Sequence, residues 1–243
     1  MDLLDPLAWL IIFGSFLSTA VSSAFAVGGG FVMIAILSTF MPVSDMVPLH
    51  SAMMVGLSLS RTWYFRTDIH WPIVIPFVIG ALIGAFAGTS IYVDLPEVLI
   101  AVSIAVLLLL AVWWPEVKFK REIPHPFFLV GLIHSFLSAL FSFGGLYQPV
   151  MVRTKLNKMQ ITATLAAGLM AMNFFKISGY VTFGFDFKPY LSVIVLAILV
   201  SFPAAKMGRA LLHKISEQQF RRIFKIIMTV FAFRLLYRAW VLV

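Results

Sequence analysis

The chain has no cysteine, which excludes disulfides and thiolate metal sites and leaves its redox compartment undecided. Charge is also scarce: 12% of the 243 residues are Asp, Glu, Lys or Arg, and only 10 are acids. Residues 6–44 contain none of the four. There is no His-Glu-x-x-His, no paired-aspartate metal motif, no Walker-type phosphate loop, and no Ser nucleophile with a convincing base, so enzyme chemistry, metals and cofactors are not expected. No acid falls deep in an apolar stretch, which removes the usual carboxylate proton relay and argues against a cationic substrate. The N-terminus carries Asp2 and Asp5 where a signal peptide would carry Lys or Arg, so no cleaved leader is expected.

What is present is apolar: 61% of residues are hydrophobic and the mean hydropathy is +1.01, far outside the range of soluble domains. The sequence reads as an all-α polytopic membrane protein, with stretches long enough to span at 50–64, 71–93, 98–115, 161–184 and 189–205, and a more charged one at 220–243. The alternation of a membrane β-barrel is missing. A net charge of +8 then reflects cationic loops and not nucleic-acid binding. Trp63, Trp71, Trp113 and Trp114 read as anchors at the bilayer interface.

One pattern occurs twice. Ser22-Ser23-Ala24-Phe25-Ala26-Val27-Gly28-Gly29, followed by Gly30, is echoed by Ser138-Ala139-Leu140-Phe141-Ser142-Phe143-Gly144-Gly145, with Ser, Phe and the glycine pair at a constant offset. After each copy the order is the same: a polar-striped helix, a turn with an acid and a proline, then two more helices. This predicts two tandem repeats, 1–116 and 124–243, joined by 116–123, within one integrated membrane domain.

Charge decides how the glycine stretches cross. If each is a single crossing, the loop cations divide evenly between the two faces. If each is a hairpin returning to its side of entry, thirteen cations (Arg61, Arg66, Lys118, Lys120, Arg121, Arg153, Lys155, Lys158, Lys206, Arg209, Lys214, Arg221 and Arg222) share one face, and only Lys188, Arg234 and Arg238 lie opposite. Membrane proteins keep Lys and Arg in cytoplasmic loops, so the hairpin is preferred. Each repeat then crosses three times in net, the repeats are inverted, and both termini lie outside the cytoplasm. Inverted repeats with broken helices near the midplane are a transporter architecture.

A helix restarting after a glycine break offers unpaired N–H groups and the positive end of its dipole to an anion. Restarts are expected at 31–40 and 146–156, with Ser22, Ser23, Ser138 and Ser142 adding hydroxyl donors. The alternative is that Gly and Ser merely permit close helix packing. Arg61 lies eleven residues after His50, which puts both on one helix face with Met54 and Leu57, and Asn173, Lys176 and Tyr180 form the comparable stripe. A cation within a span is a functional hypothesis by default, although either one could snorkel to a surface. His134 precedes Ser138 by one turn. It and His50 either couple protons or serve as structural hydrogen-bonders.

These residues, above all the Ser22–Gly30 motif and Phe143-Gly144-Gly145-Leu146-Tyr147-Gln148-Pro149, resemble the TauE/SafE family, also called the 4-toluene sulfonate uptake permease family. The resemblance covers nearly the whole chain. The family pattern usually has Gly where Ala26 and Ser142 stand, and a proline soon after the first glycines that is missing here. The resemblance implies transport of sulfite, sulfoacetate or other organosulfonates across the inner membrane. The expected substrate-binding set is Ser22, Ser23, Gly28, Gly29, Gly30, His50, Arg61, His134, Ser138, Gly144, Gly145, Gln148, Asn173 and Lys176. A coupling ion, proton or sodium, and a homodimer are compatible with the sequence and specified by nothing in it. Rival readings are a passive anion channel and a non-transporting membrane assembly partner.

Overall fold

A computed structural model describes residues 3–25, 28–113, 126–143, 145–151, 153–211 and 217–241. Asp2, Ala26, Trp114, the joining stretch 116–123 with Lys118, Lys120 and Arg121, Gly144 and Lys214 lie outside them. The described residues form helices and turns without strands. The ten α-helices are α1 (Pro6–Phe25), α2 (Gly29–Phe40), α3 (Val43–Phe65), α4 (Trp71–Tyr92), α5 (Glu97–Trp113), α6 (Pro126–Phe141), α7 (Tyr147–Met151), α8 (Lys158–Thr182), α9 (Leu191–Leu211) and α10 (Glu217–Val241). Four of them (α1, α4, α8 and α9) are long and apolar enough to cross a membrane.

The breaks follow from local chemistry. Gly28 caps α2 at φ 94°, a left-handed conformation that glycine adopts without steric cost. Pro42, which cannot donate an N–H, separates α2 from α3. Asn157 and Gln160 form a reciprocal capping box that starts α8. The expected restart at 146–156 is cut short. The backbone N–H of Thr154 and its hydroxyl both donate to the Met151 carbonyl, which turns the chain out of the helix.

Helices α1 and α2 run antiparallel. Ser18 Oγ donates to the Gly29 carbonyl at 2.7 Å, Ser15 Oγ reaches Met33 Sδ, and Gly14 sits against Ile36. With 20 residues α1 spans about 30 Å, whereas the 12 residues of α2 reach only about 18 Å. The pair is therefore a helical hairpin with one short arm.

Across the chain, α4 packs on α6 while α9 packs on α1, and α4 meets α8 while α9 meets α3. Two further pairs, α3 with α8 and α5 with α10, complete the bundle. Glycine sets the closest approaches. A Cβ on Gly80, Gly84 or Gly131 would lie 2.1 Å from the carbonyl oxygen of Phe128, Leu132 or Phe77 respectively, so the backbones of α4 and α6 touch. At the other crossing, Gly208 of α9 faces the Ala20 carbonyl of α1 at 2.2 Å in the same sense.

Both ends of the bundle carry charged contacts between helices. At one end the Arg209 guanidinium stacks over Phe65, 5.3 Å from its ring centroid, which brings the C-termini of α3 and α9 together. At the other end Tyr190 donates to Asp45 at 2.5 Å. There too, Arg234 and Arg238 donate to the carbonyls of Thr39, Ser38 and Met41. These two arginines neutralise the negative end of the α2 dipole, a local reason for cations at that end.

Candidate anion site at the helix breaks

The His50 stripe of α3 lies along the tip of the first hairpin. His50 Nε2 is 3.0 Å from the Gly30 carbonyl, and Met54 Sδ sits next to Gly30. Leu57 packs on Gly29, and Arg61 Nη1 donates to Ser22 Oγ at 2.9 Å. One helix face thus reads the break residue by residue. Gly29 is needed for this approach: a Cβ there would fall 2.4 Å from the Ser18 carbonyl oxygen and 2.7 Å from Ser22 Cβ. Packing and site geometry are therefore not alternatives at Gly29, because the close approach is what brings Ser22 and α3 to the break.

The second break repeats the arrangement with different groups. Lys176 Nζ donates to Ser138 Oγ at 3.0 Å, and Tyr180 donates to the Ala139 carbonyl one turn on. Asn173 is also buried. His134 lies against the side of the Phe77–Tyr147 pair, whose rings stack at 3.8 Å, and neither of its ring nitrogens has a hydrogen-bond partner among the described residues. The Lys176 ammonium is within electrostatic reach of both His134 and His50.

Neither cation snorkels to a surface. Arg61 is 2% exposed and Lys176 0%, and no carboxylate among the described residues pairs with either one. An unpaired charge buried this far costs several kcal/mol, of order, unless a counter-charge joins it. Further buried polar groups around the breaks also lack partners among the described residues, namely the hydroxyls of Ser135 and Ser142 and Nδ1 of His50. Buried polar groups are normally satisfied, so these groups remain available to water or to a ligand.

Some expected residues stay apart from this cluster. Gly145 is approached only by the ring of Phe143, and Gln148 is half-buried on the short α7 without a hydrogen bond to the described residues. Ser23 points toward Gly208 of α9. Sequence reasoning missed Ser18, Tyr147 and the Gly80-Gly84-Gly88 stripe. The four-residue spacing of that stripe was the available signal, since it puts all three glycines on one helix face.

Phe31 of α2 and Phe141, Ser142 and Phe143 of the second break, together with Ile104 and Leu108 of α5, line a void of about 10 Å³, which holds at most one water. Neither Arg61 nor Lys176 is among the described residues that line it. Ser142 holds φ 54° there, a left-handed conformation that disfavours a Cβ. Ser142→Gly should raise unfolding stability by about 1 kcal/mol, read as an increase in Tm. A decrease would mean that the hydroxyl makes a compensating interaction.

A family model described as Sulfite exporter TauE/SafE matches residues 10–235, which include both breaks and both buried cations. No curated protein and no solved structure matches the chain. With a match over nearly its whole length and helices fit to cross a bilayer, the chain is a membrane protein that belongs to the TauE/SafE sulfite exporter family.

Proposed function

We propose that the protein is a secondary transporter that exports a small sulfur-containing anion, such as sulfite, sulfoacetate or a related organosulfonate, across the inner membrane by alternating access. One observation carries this reading. Each half of the chain buries one cation without a carboxylate partner among the described residues, and each cation is hydrogen-bonded to the serine six residues ahead of a glycine pair. A sulfonate carries one negative charge over three acceptor oxygens, which a cation, hydroxyls and freed backbone groups can satisfy together.

The helix pairing supports two inverted repeats, 1–116 and 124–243. Exchanging the halves turns α4–α6 into α9–α1 and α4–α8 into α9–α3, while α3–α8 and α5–α10 map onto themselves. The approach of Arg209 to Phe65 supports hairpin glycine stretches, because a single-crossing topology would send those two helix ends to opposite faces. In this arrangement the face bearing Arg66, Arg153, Lys155 and Arg209 is cytoplasmic and both termini are outside. Hydrogen bonds tie the halves at each end. Tyr190 donates to Asp45, and Arg234 and Arg238 donate to the carbonyls of Thr39, Ser38 and Met41, at one end, while the His70 backbone N–H donates to Thr164 Oγ1 at the other. Opening one end while the other stays tied is what alternating access needs.

The test is a thermal-shift screen of the purified protein against sulfite, sulfate, sulfoacetate, taurine and carboxylate controls. Sulfite or a sulfonate should raise Tm in a concentration-dependent way. Stabilisation by carboxylates alone would reject the assigned substrate class, and no stabilisation by any sulfur anion would favour an assembly partner.

A further inference from the structure

The guanidinium of Arg61 is used on one side only. Nη1 donates to Ser22 Oγ, whereas Nε and Nη2, both fully buried, have no partner among the described residues. Those two nitrogens form the side-on edge of the guanidinium, with parallel N–H bonds spaced to meet two oxygens on one central atom. Ser22 fixes the ring plane from the opposite side, and Leu57 and Met54 hold the helix face against the glycines. The free edge is therefore oriented, and its donors remain unsatisfied until something with two acceptors arrives. Lys176 differs in kind: its ammonium is a point charge with rotatable donors and imposes no plane on a ligand.

Resting on the export reading above, we infer that Arg61 is the specificity-determining residue of the site. Its Nε–Nη2 edge grips two oxygens of one oxyanion, and Lys176 supplies charge without shape. The site then selects anions with at least two oxygens on a single centre, such as sulfite or a sulfonate, over spherical or linear anions of equal charge. Chloride, or the terminal atom of thiocyanate, meets the edge as one acceptor shared by two bent N–H bonds, whereas two oxygens on one centre accept two parallel, near-linear bonds, which are stronger.

The experiment measures binding of sulfite, methanesulfonate, chloride and thiocyanate to the full-length protein in detergent, for the native chain and for Arg61→Lys. The native chain should prefer sulfite and methanesulfonate over chloride and thiocyanate. Arg61→Lys keeps the charge and removes the fork, so it should lower the sulfite-to-chloride affinity ratio by about tenfold or more, with chloride affinity nearly unchanged. A second readout needs no variant in the binding sample: the ¹⁵Nε–¹H resonance of Arg61 should shift more on adding sulfite than on adding chloride. If Arg61→Lys keeps the native ratio, or if the Nε resonance ignores sulfite while sulfite binds, this inference falls and the export reading stands. If the native chain binds none of the four anions, both fall together.

Discussion

Lys176→Met is expected to make the empty protein more stable while abolishing its response to sulfite. Lys176 is fully buried, and among its three N–H donors only one contact, to Ser138, is made to the described residues. Methionine matches the length of the stem without the charge. Replacing an uncompensated buried charge with an apolar group of similar volume is worth about 1–3 kcal/mol in favour of the folded state. The variant should therefore unfold at a higher temperature in ligand-free detergent solution, and added sulfite should no longer move that temperature. A functional group that costs the empty protein stability is the expected mark of a ligand site. If the empty variant instead unfolds at a lower temperature, Lys176 is a structural tie between α8 and α6, and its burial says nothing about an anion.

The second large effect lies away from the site. Gly80→Ala combined with Gly84→Ala places two methyl groups 2.1 Å from the carbonyl oxygens of Phe128 and Leu132, which belong to backbone and cannot swing aside. Overpacking of this kind costs about 1–3 kcal/mol per site, so the double variant should lose a large share of its total stability. Thermal unfolding and size-exclusion chromatography should show an early transition and aggregated material. Gly30→Ala is the contrast: its added Cβ would meet nothing nearer than 3.6 Å, so folding should be preserved. Equal stability of the native chain and the double variant would mean that α4 and α6 are not in backbone contact.

Much of the site was legible because helical periodicity is a local property. The spacing of His50, Met54, Leu57 and Arg61 was enough to put all four on one face, and the structure lays that face along the first break. The two cations could be singled out because a charge inside an apolar run carries a cost whatever its partner. What a sequence does not state is the partner. That α4 meets α6, and that Arg234 and Arg238 cap α2, are contacts across the chain, and their residues carry no mark of one another. The length of α7 was misjudged for a related reason. The turn through Thr154 and the capping box at Asn157 compete for the segment after Met151 and win. Glycine was the most ambiguous letter, since the same residue breaks α1 from α2 at Gly28 and joins α4 to α6 at Gly84.

The central claim is that an anion crosses by alternating exposure of the buried cation pair, and counterflow tests it most directly. Proteoliposomes holding the purified protein are preloaded with unlabelled sulfite, and entry of ³⁵S-sulfite is compared with entry into empty vesicles. A carrier predicts faster entry into the preloaded vesicles, and no such acceleration for Lys176→Met. Equal entry into preloaded and empty vesicles, unchanged by the substitution, would contradict the carrier and point to a passive pore that does not use this lysine.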